Sequence, residues 1–402
     1  MSLTTKFLLT PSSVVRRAFS TAIARNAYYT SSLVSDKHKL VDPKAKLYDF
    51  RSDTVTAPTD EMFEIMKKAS RNDDVFQEDK SVNDLQDYVA ELTGHEAGLF
   101  CASGTMTNQL ALRTHLVNPP HSVVCDHRAH VYLWEAGGIA VHSRASVSPV
   151  IASNGVHLTA QEIENNLLGD DIYSAPTRVV SLENTLNGMI FPYNELSEIS
   201  AMARRRGLAM HLDGARLWNA SQETGVSLSE YGKLFDSMSL CLSKGVGAPI
   251  GSMVVGSAKF IDRLRHHRKM FGGGWRQAGF MAAAAKHAID TVVPTMRDTH
   301  KLAKYLAEQL VSMGVDLQIP THTNMVFIDT TRLGLQIEKD LIPALAERNI
   351  KMGGMGHKAR LVLHHQIDRA GVDCLLEVVK EAIIAKQQKE IDNEDLRLTT
   401  SI

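Results

Sequence analysis

From Asp49 onward this chain keeps setting a short, almost wholly apolar run beside a longer amphipathic one, and no other feature narrows the fold so far. The apolar runs are Ala97–Cys101, Ser122–Cys125, Thr177–Leu182, Ala209–Asp213, Ser237–Cys241 and Gly251–Gly256, rich in Val, Leu, Met or Cys. A strand that is apolar on both faces has to be covered on both. Helical periods at Met106–Val117, at Leu196–Arg206 opened by Asn194, and at Phe260–Met270 supply the cover. The pattern predicts an α/β domain built on a mostly parallel sheet. Pro294 breaks it. A long helix around Asp298–Met313 then leads into strands at Asn324–Asp329 and Arg360–Leu363 and helices at Glu338–Arg348 and Val372–Gln388, a smaller α+β unit. At 402 residues the chain exceeds what one hydrophobic core usually holds. Its expected divisions are a leader (1–41), an N-terminal segment with the large domain (42–293), a small C-terminal domain (294–389) and a polar tail (390–402) that frays.

Composition excludes several classes of function. Lys+Arg 44 against Asp+Glu 45 leaves a net charge of -1, with no basic excess to follow a phosphate backbone, so nucleic acid is not an expected partner. No apolar run reaches the roughly 20 residues that span a bilayer, and no membrane is expected either. Cys101, Cys125, Cys241 and Cys374 lack C-x-x-C spacing and read as small buried hydrophobes of a reducing compartment. No metal site is suggested. The leader is different: through Val34 it holds no acidic residue, while Lys6, Arg16, Arg17 and Arg25 lie among serine, threonine and alanine. Such a segment matches a mitochondrial transit peptide, with Arg17-Ala18-Phe19-Ser20 resembling a matrix-protease site, so the expected address is the matrix rather than the cytoplasm; the alternative is a disordered cytosolic leader.

Chemistry enters at Asp213, the last residue of an apolar run, which is followed 31 residues later by Lys244 between a serine and a glycine. The pair suits pyridoxal phosphate: the lysine amine joins the cofactor carbonyl, and the acid pairs with the pyridine nitrogen and keeps it protonated as an electron sink. Ser103-Gly104-Thr105 follows one strand and opens a helix, where backbone N–H groups and hydroxyls converge on an anion at the positive end of the dipole. Asn108 and Gln109 in the first turn add polar reach. Lys269 and Arg276 bracket Gly272-Gly273-Gly274, three residues whose lost backbone order points to close approach of a ligand or another subunit. After the strand ending at Asp126 come His127 and His130, and a flat imidazole there can lie over a cofactor ring in the crevice beyond the strand ends; His130 is preferred.

A substrate carboxylate wants a planar, two-pronged donor. Arg360, at the start of a small-domain strand, offers one, with Arg51-Ser52-Asp53-Thr54 ahead of the large domain. Arg216, three residues past Asp213, is either a second donor or a brace for the acid. Arg204-Arg205-Arg206, at a helix C-terminus, reads as a solvated run favoured by the dipole.

Taken together, Phe50 to Pro58, His130 to Gly138, Leu182-Glu183-Asn184-Thr185, Leu212-Asp213-Gly214-Ala215-Arg216, Leu242 to Ser252 and Gly272 to Gln277 resemble the low-specificity L-threonine aldolases, a fold-type I family of pyridoxal-phosphate enzymes. The likeness implies Lys244 as the covalent attachment point, Asp213 as the pyridinium partner and His130 as the stacking residue. It implies that Gly104 and Thr105 bind phosphate, joined by Lys269 and Arg276 from a neighbouring subunit of a homotetramer, and that Ser52, Arg216 and Arg360 hold the substrate carboxylate. The implied reaction is retro-aldol cleavage of L-threonine or L-allo-threonine to glycine and an aldehyde, with His130, or a water it holds, as base for the β-hydroxyl. One departure matters: many bacterial members carry a histidine after Glu-Asn-Thr, and this chain has Leu186. The competing readings are a β-eliminating lyase on the same scaffold and a non-catalytic subunit.

Overall fold

The computed structural model describes residues 46–399, so the leader and its processing site lie outside the described residues. The first strand, β1 (Tyr48–Asp49), precedes a seven-stranded sheet made of β2 (Ala97–Cys101), β3 (Ser122–Asp126), β4 (Ser146–Val150), β5 (Thr177–Glu183), β6 (Ala209–Asp213), β7 (Ser237–Cys241) and β8 (Ser252–Gly256). Their spatial order is β2-β8-β7-β6-β5-β3-β4. From β7 across to β4 every pairing is parallel; β8 alone runs against both of its neighbours. The expected α/β, mostly parallel sheet is thus present. Every residue of β3, β7 and β8 is buried, as near-continuous apolar runs require of strands covered on both faces.

The sheet core runs through Val124, Val180, Leu212, Leu240 and Met253 and is covered by the Lys80–Thr93, Tyr193–Arg205 and Gly279–Val292 helices. β4 escaped the sequence reading because it is an edge strand, half polar and carrying Pro149 (Ser-Val-Ser-Pro-Val), a composition that an edge tolerates and a central strand does not. The Tyr193–Arg205 helix starts one residue before Asn194, with Pro192 at its cap and no side-chain cap bond, so Asn194 does not open it.

A second core forms around Phe50, Leu306, Val326, Leu361 and Leu375. It packs on a four-stranded antiparallel sheet of order β12-β13-β10-β9, with β9 (Asp316–Leu317), β10 (Met325–Asp329), β12 (Gly353–Met355) and β13 (Lys358–Val362). The remaining strand, β11 (Ile350–Lys351), pairs in parallel with β1. This is a correction to the sequence division, which grouped the N-terminal segment with the large domain: Tyr48 to Phe50 belong structurally to the small unit. The helix expected at Glu338–Arg348 is a π-turn at Ile337–Leu341 followed by a short α-helix at Ile342–Ala346, because Pro343 has no N–H to carry the ladder through. The last helix continues past the expected end at 389 and runs from Arg369 to Thr399. Among the described residues, no helix is long and apolar enough to cross a membrane.

Candidate active site

Ser52, His130, Asp213, Arg216, Lys244 and Arg360 all line one cavity of about 380 Å3 between the two units. The sheet explains the convergence. Parallel strands carry their carboxyl ends to one edge, and the register sets Glu183 at the end of β5 beside Asp213 at the end of β6, and Asp213 beside Ser239 of β7. Lys244 follows on the loop that reverses the chain from β7 into β8, and Arg360 reaches in from β13, paired across to Phe327 and Gly353.

Asp213 is 3% exposed. Its Oδ1 accepts the backbone N–H of Ala215 at 3.0 Å, and its Oδ2 accepts from Asn108 Nδ2 at 2.8 Å. The second amide hydrogen of Asn108 goes to Glu135 Oε1 at 2.9 Å, and Gln109 Nε2 donates to Glu135 Oε2 at 2.5 Å. Asn108 and Gln109 therefore turn inward on carboxylates instead of extending toward a phosphate, a correction to the sequence reading. Glu135 also meets His130 Nδ1 at 2.9 Å, which orients the ring and leaves Nε2 for the cavity. The His130 backbone N–H donates to Glu183 Oε2 at 2.7 Å. Burial opposes charge on His130, but the bond to Glu135 and the fields of Asp213 and Glu183 outweigh it, so its pKa lies above the ordinary 6.5. Burial and then repulsion from Asp213 push Glu183 up to about 8. His127 does not line the cavity; it sits against Asp126 at 3.2 Å.

The Lys244 loop is held by its backbone: Leu242 N–H to Gly251 O at 3.0 Å, Ala248 N–H to Leu242 O at 3.0 Å and Gly247 N–H to Lys244 O at 2.8 Å. Gly247 has a φ of +85°, and a Cβ there would lie 2.5 Å from the His365 ring, so only glycine closes this turn. Burial disfavours the charged lysine, yet the nearby Cys241, Asp213 and Asp53 hold its pKa above the usual lysine value. Beside the loop, the Gly104–His115 helix starts so close to β7 that a Cβ on Gly104 would lie 2.5 Å from Cys241 Sγ. Ser103 caps the helix through Met106 N–H at 3.2 Å, and the N–H groups of Gly104 and Thr105, first in the helix, have no partner within it. Gly104 and Thr105 do not line the cavity, and in the single chain neither Lys269 nor Arg276 lines it. Arg276 instead pairs with Asp73 at 3.0 Å.

On the substrate side, the Arg216 guanidinium grips Asp53 with Nε and Nη2 at 2.8 and 2.6 Å. Although burial works against its ionisation, Asp53 is held down to about 2 by Arg216. Removing either partner of such a buried pair costs about 3–5 kcal/mol, so the fork is rigidly aimed. Ser52 Oγ accepts from Thr54 N–H at 3.2 Å and caps the turn that carries Asp53, and Arg360 Nη2 donates to Arg51 O at 3.3 Å. His130, Glu135 and Asp213 bring ligand atoms within 4.8 Å of one another. The Glu135 oxygens already receive the amide and ring N–H groups named above, which is the bonding of an orienting carboxylate and not of a metal ligand.

Sequence reasoning gave no role to Glu135, Glu183 or Asp53. The signal for Glu183 was present, since it ends the strand immediately beside β6. That for Asp53 was not, because Arg216 lies across the fold, and Glu135, though close in sequence to His130, is also met by Asn108 and Gln109 from another helix.

Residues 49–332 match the beta-eliminating lyase family. The low-specificity L-threonine aldolase of Eremothecium gossypii is 46% identical over 347 residues, 86% of this chain and 90% of that protein. This chain belongs to that family. The low specificity L-threonine aldolase of Saccharomyces cerevisiae is 44% identical over 86% of this chain and 88% of its own length. The Leishmania major threonine aldolase structure superposes with a TM-score of 0.72 at 21% identity, covering 84% of this chain and 99% of that one. As a member of the beta-eliminating lyase family the chain has the fold-type I architecture of pyridoxal-phosphate enzymes. Where some threonine aldolases carry a histidine, Leu186 is buried and out of the cavity. Leu186 and Met189 exchange backbone hydrogen bonds at 3.2 and 3.1 Å around Asn187 (φ +52°) and Gly188 (φ +78°), a tight turn whose twist suits a two-residue hairpin. Its tip residue, Asn187, is the one that lines the cavity.

Proposed function

We propose that this chain is a pyridoxal-phosphate-dependent aldehyde-lyase that cleaves L-threonine, L-allo-threonine and related β-hydroxy amino acids to glycine and an aldehyde. The observation that carries the reading is the single cavity in which Lys244 and Asp213 face Arg216 and Arg360. The donor set fits the cofactor: an amine for its carbonyl at Lys244, an anion for its ring nitrogen at Asp213, helix N–H groups for its phosphate at Gly104 and Thr105, and a flat ring at His130. Bound there, pyridoxal phosphate supplies the sink for the electron pair released when Cα–Cβ breaks. The protein does the rest. Arg216, Arg360 and Ser52 fix the substrate carboxylate and so select which bond at Cα is aligned to break. His130, oriented by Glu135, takes the β-hydroxyl proton at Nε2 directly or through one water. Because its pKa is raised above 6.5, the neutral, accepting ring grows as pH rises through that raised value and is lost below it. Incubation of the purified protein with L-threonine, L-allo-threonine and L-serine tests the reading: glycine with an aldehyde supports it, and ammonia with an oxo acid would make the chain a β-eliminating enzyme.

Arg360→Lys is expected to raise the Michaelis constant for threonine more than it alters cofactor affinity, by the loss of about 1.5–3 kcal/mol for a charge-assisted bond. Unaltered steady-state constants would assign the carboxylate to Arg216 alone. The chain acts as a homotetramer in which Lys269 and Arg276 complete the phosphate site of a neighbour. Hybrids of Arg276→Ala and Lys244→Ala chains should therefore regain some activity, and verified hybrids without recovery would refute the sharing. The leader directs import into mitochondria. A fusion of residues 1–41 to a fluorescent reporter should be imported and trimmed; a diffuse cytosolic signal with the leader still attached by mass would refute it.

A further inference from the structure

Asp213 is the end of a longer structure. His115 Nε2 lies 2.8 Å from Ser237 Oγ, which lies 2.9 Å from His211 Nδ1; His211 Nε2 lies 3.1 Å from Asn108 Oδ1, and Asn108 Nδ2 lies 2.8 Å from Asp213 Oδ2. His211 and Ser237 are 0% exposed and Asn108 is 1% exposed. Nothing in the sheet demands this polarity. Residue 211 sits in β6 between the buried Met210 and Leu212, where an aliphatic side chain would serve the core equally well.

The direction of the chain follows from donor and acceptor counting. Asn108 faces two carboxylates, Asp213 and Glu135, which accept only, so its NH2 points at them and its Oδ1 at His211. His211 Nε2 must then carry the proton. Burial holds His211 at about 3 and His115 at about 4, so each ring is neutral with a single N–H. With its proton on Nε2, His211 accepts at Nδ1 from the Ser237 hydroxyl, and Ser237 in turn accepts from His115 Nε2–H. Every donor points the same way, toward the carboxylate. Such aligned bonds polarise one another in a low-dielectric interior.

We infer that Asn108, His211, Ser237 and His115 are positioning residues for Asp213, a one-directional hydrogen-bond chain that fixes which carboxylate oxygen faces the cavity and how firmly that oxygen holds a proton on the group bound there. The inference rests on the cofactor reading above, in which that group is the ring nitrogen. No proton travels along the chain. It supplies aligned dipoles without a competing cation, leaving the ring N–H as the charge that Asp213 answers.

The test reconstitutes the full chain with 15N-labelled pyridoxal phosphate and reads the ring-nitrogen chemical shift, which distinguishes a protonated from a bare nitrogen, beside steady-state rates on threonine. The wild type should show the protonated signature. His211→Phe should move the shift toward the bare form and lower kcat about tenfold, with KM and cofactor affinity changed less than about twofold. His211→Gln, which keeps an N–H for Asn108 Oδ1, should recover most of the shift and the rate. Ser237→Ala, which removes one hydroxyl with little change in volume, should give a smaller displacement in the same direction and carries the test if the Phe variant does not fold. A wild-type shift in both His211→Phe and Ser237→Ala overturns the relay, whatever their rates. A wild-type chain that takes up no cofactor overturns the cofactor reading itself, and is told apart because it fails before any variant is compared.

Discussion

Lys244→Ala should lower threonine cleavage by several orders of magnitude while the protein stays folded. The two halves of that expectation have separate grounds. The loop from β7 to β8 is closed by backbone bonds among Leu242, Lys244, Gly247, Ala248 and Gly251, none of which involves the lysine side chain. Asp53, one of the anions facing Lys244, keeps Arg216 as a two-pronged partner, so no buried carboxylate is stranded when the amine goes. What is lost is the nucleophile. Without an amine there is no covalent link through which a bound carbonyl cofactor can be exchanged for the substrate amine. Cofactor should still associate through the phosphate contacts proposed for Gly104 and Thr105, so its absorbance persists while borohydride fixes none of it to the chain. Reduction followed by peptide mapping is the decisive measurement: wild type should carry the label on Lys244. A label on any other lysine, Lys269 included, would remove Lys244 from the role.

The spacing from Asp213 to Lys244 was informative in the sequence because it is a crossover length. β6 ends at Asp213, helices at Leu217–Thr224 and Leu228–Gly232 return the chain, and β7 ends at Cys241, three residues before Lys244. Two consecutive parallel strands must end at the same sheet edge, so an acid closing one and a lysine just past the next meet without any tertiary knowledge. The apolar runs were legible for the same reason, since burial on both faces leaves a composition that no surface strand shares. What stayed hidden was set by contacts across the fold. Tyr48 pairs with Ile350, and no local pattern announces a partner that far away. Asn108 and Gln109 were assigned to the right helix turn and the wrong neighbour, because whether a first-turn side chain faces outward to an anion or inward to Glu135 depends on what packs behind it. Asp53 was passed over as part of a substrate segment, when its carboxylate is the brace for Arg216.

Asp213→Asn isolates charge from shape. The side chains are nearly isosteric, so β6 and its neighbours should keep their packing, but the hydrogen bonds cannot all survive. Asp213 accepts from Ala215 N–H with one oxygen and from Asn108 with the other. An asparagine has one carbonyl oxygen and two N–H donors, so it satisfies one of those partners well and presents a donor where an acceptor stood. The resulting unsatisfied group costs about 1–3 kcal/mol, a drop in thermal stability that leaves the native state populated. The effect on turnover should be much larger. A neutral amide cannot hold a proton on the ring nitrogen, and loss of one preorganised electrostatic contact of this kind lowers kcat about 10²- to 10³-fold. The signature to look for is a variant that folds, binds cofactor on Lys244 and still fails at the bond-breaking step. Wild-type kcat in such a variant would show that the cavity does not depend on a buried anion at 213, and the electron-sink role would have to leave Asp213.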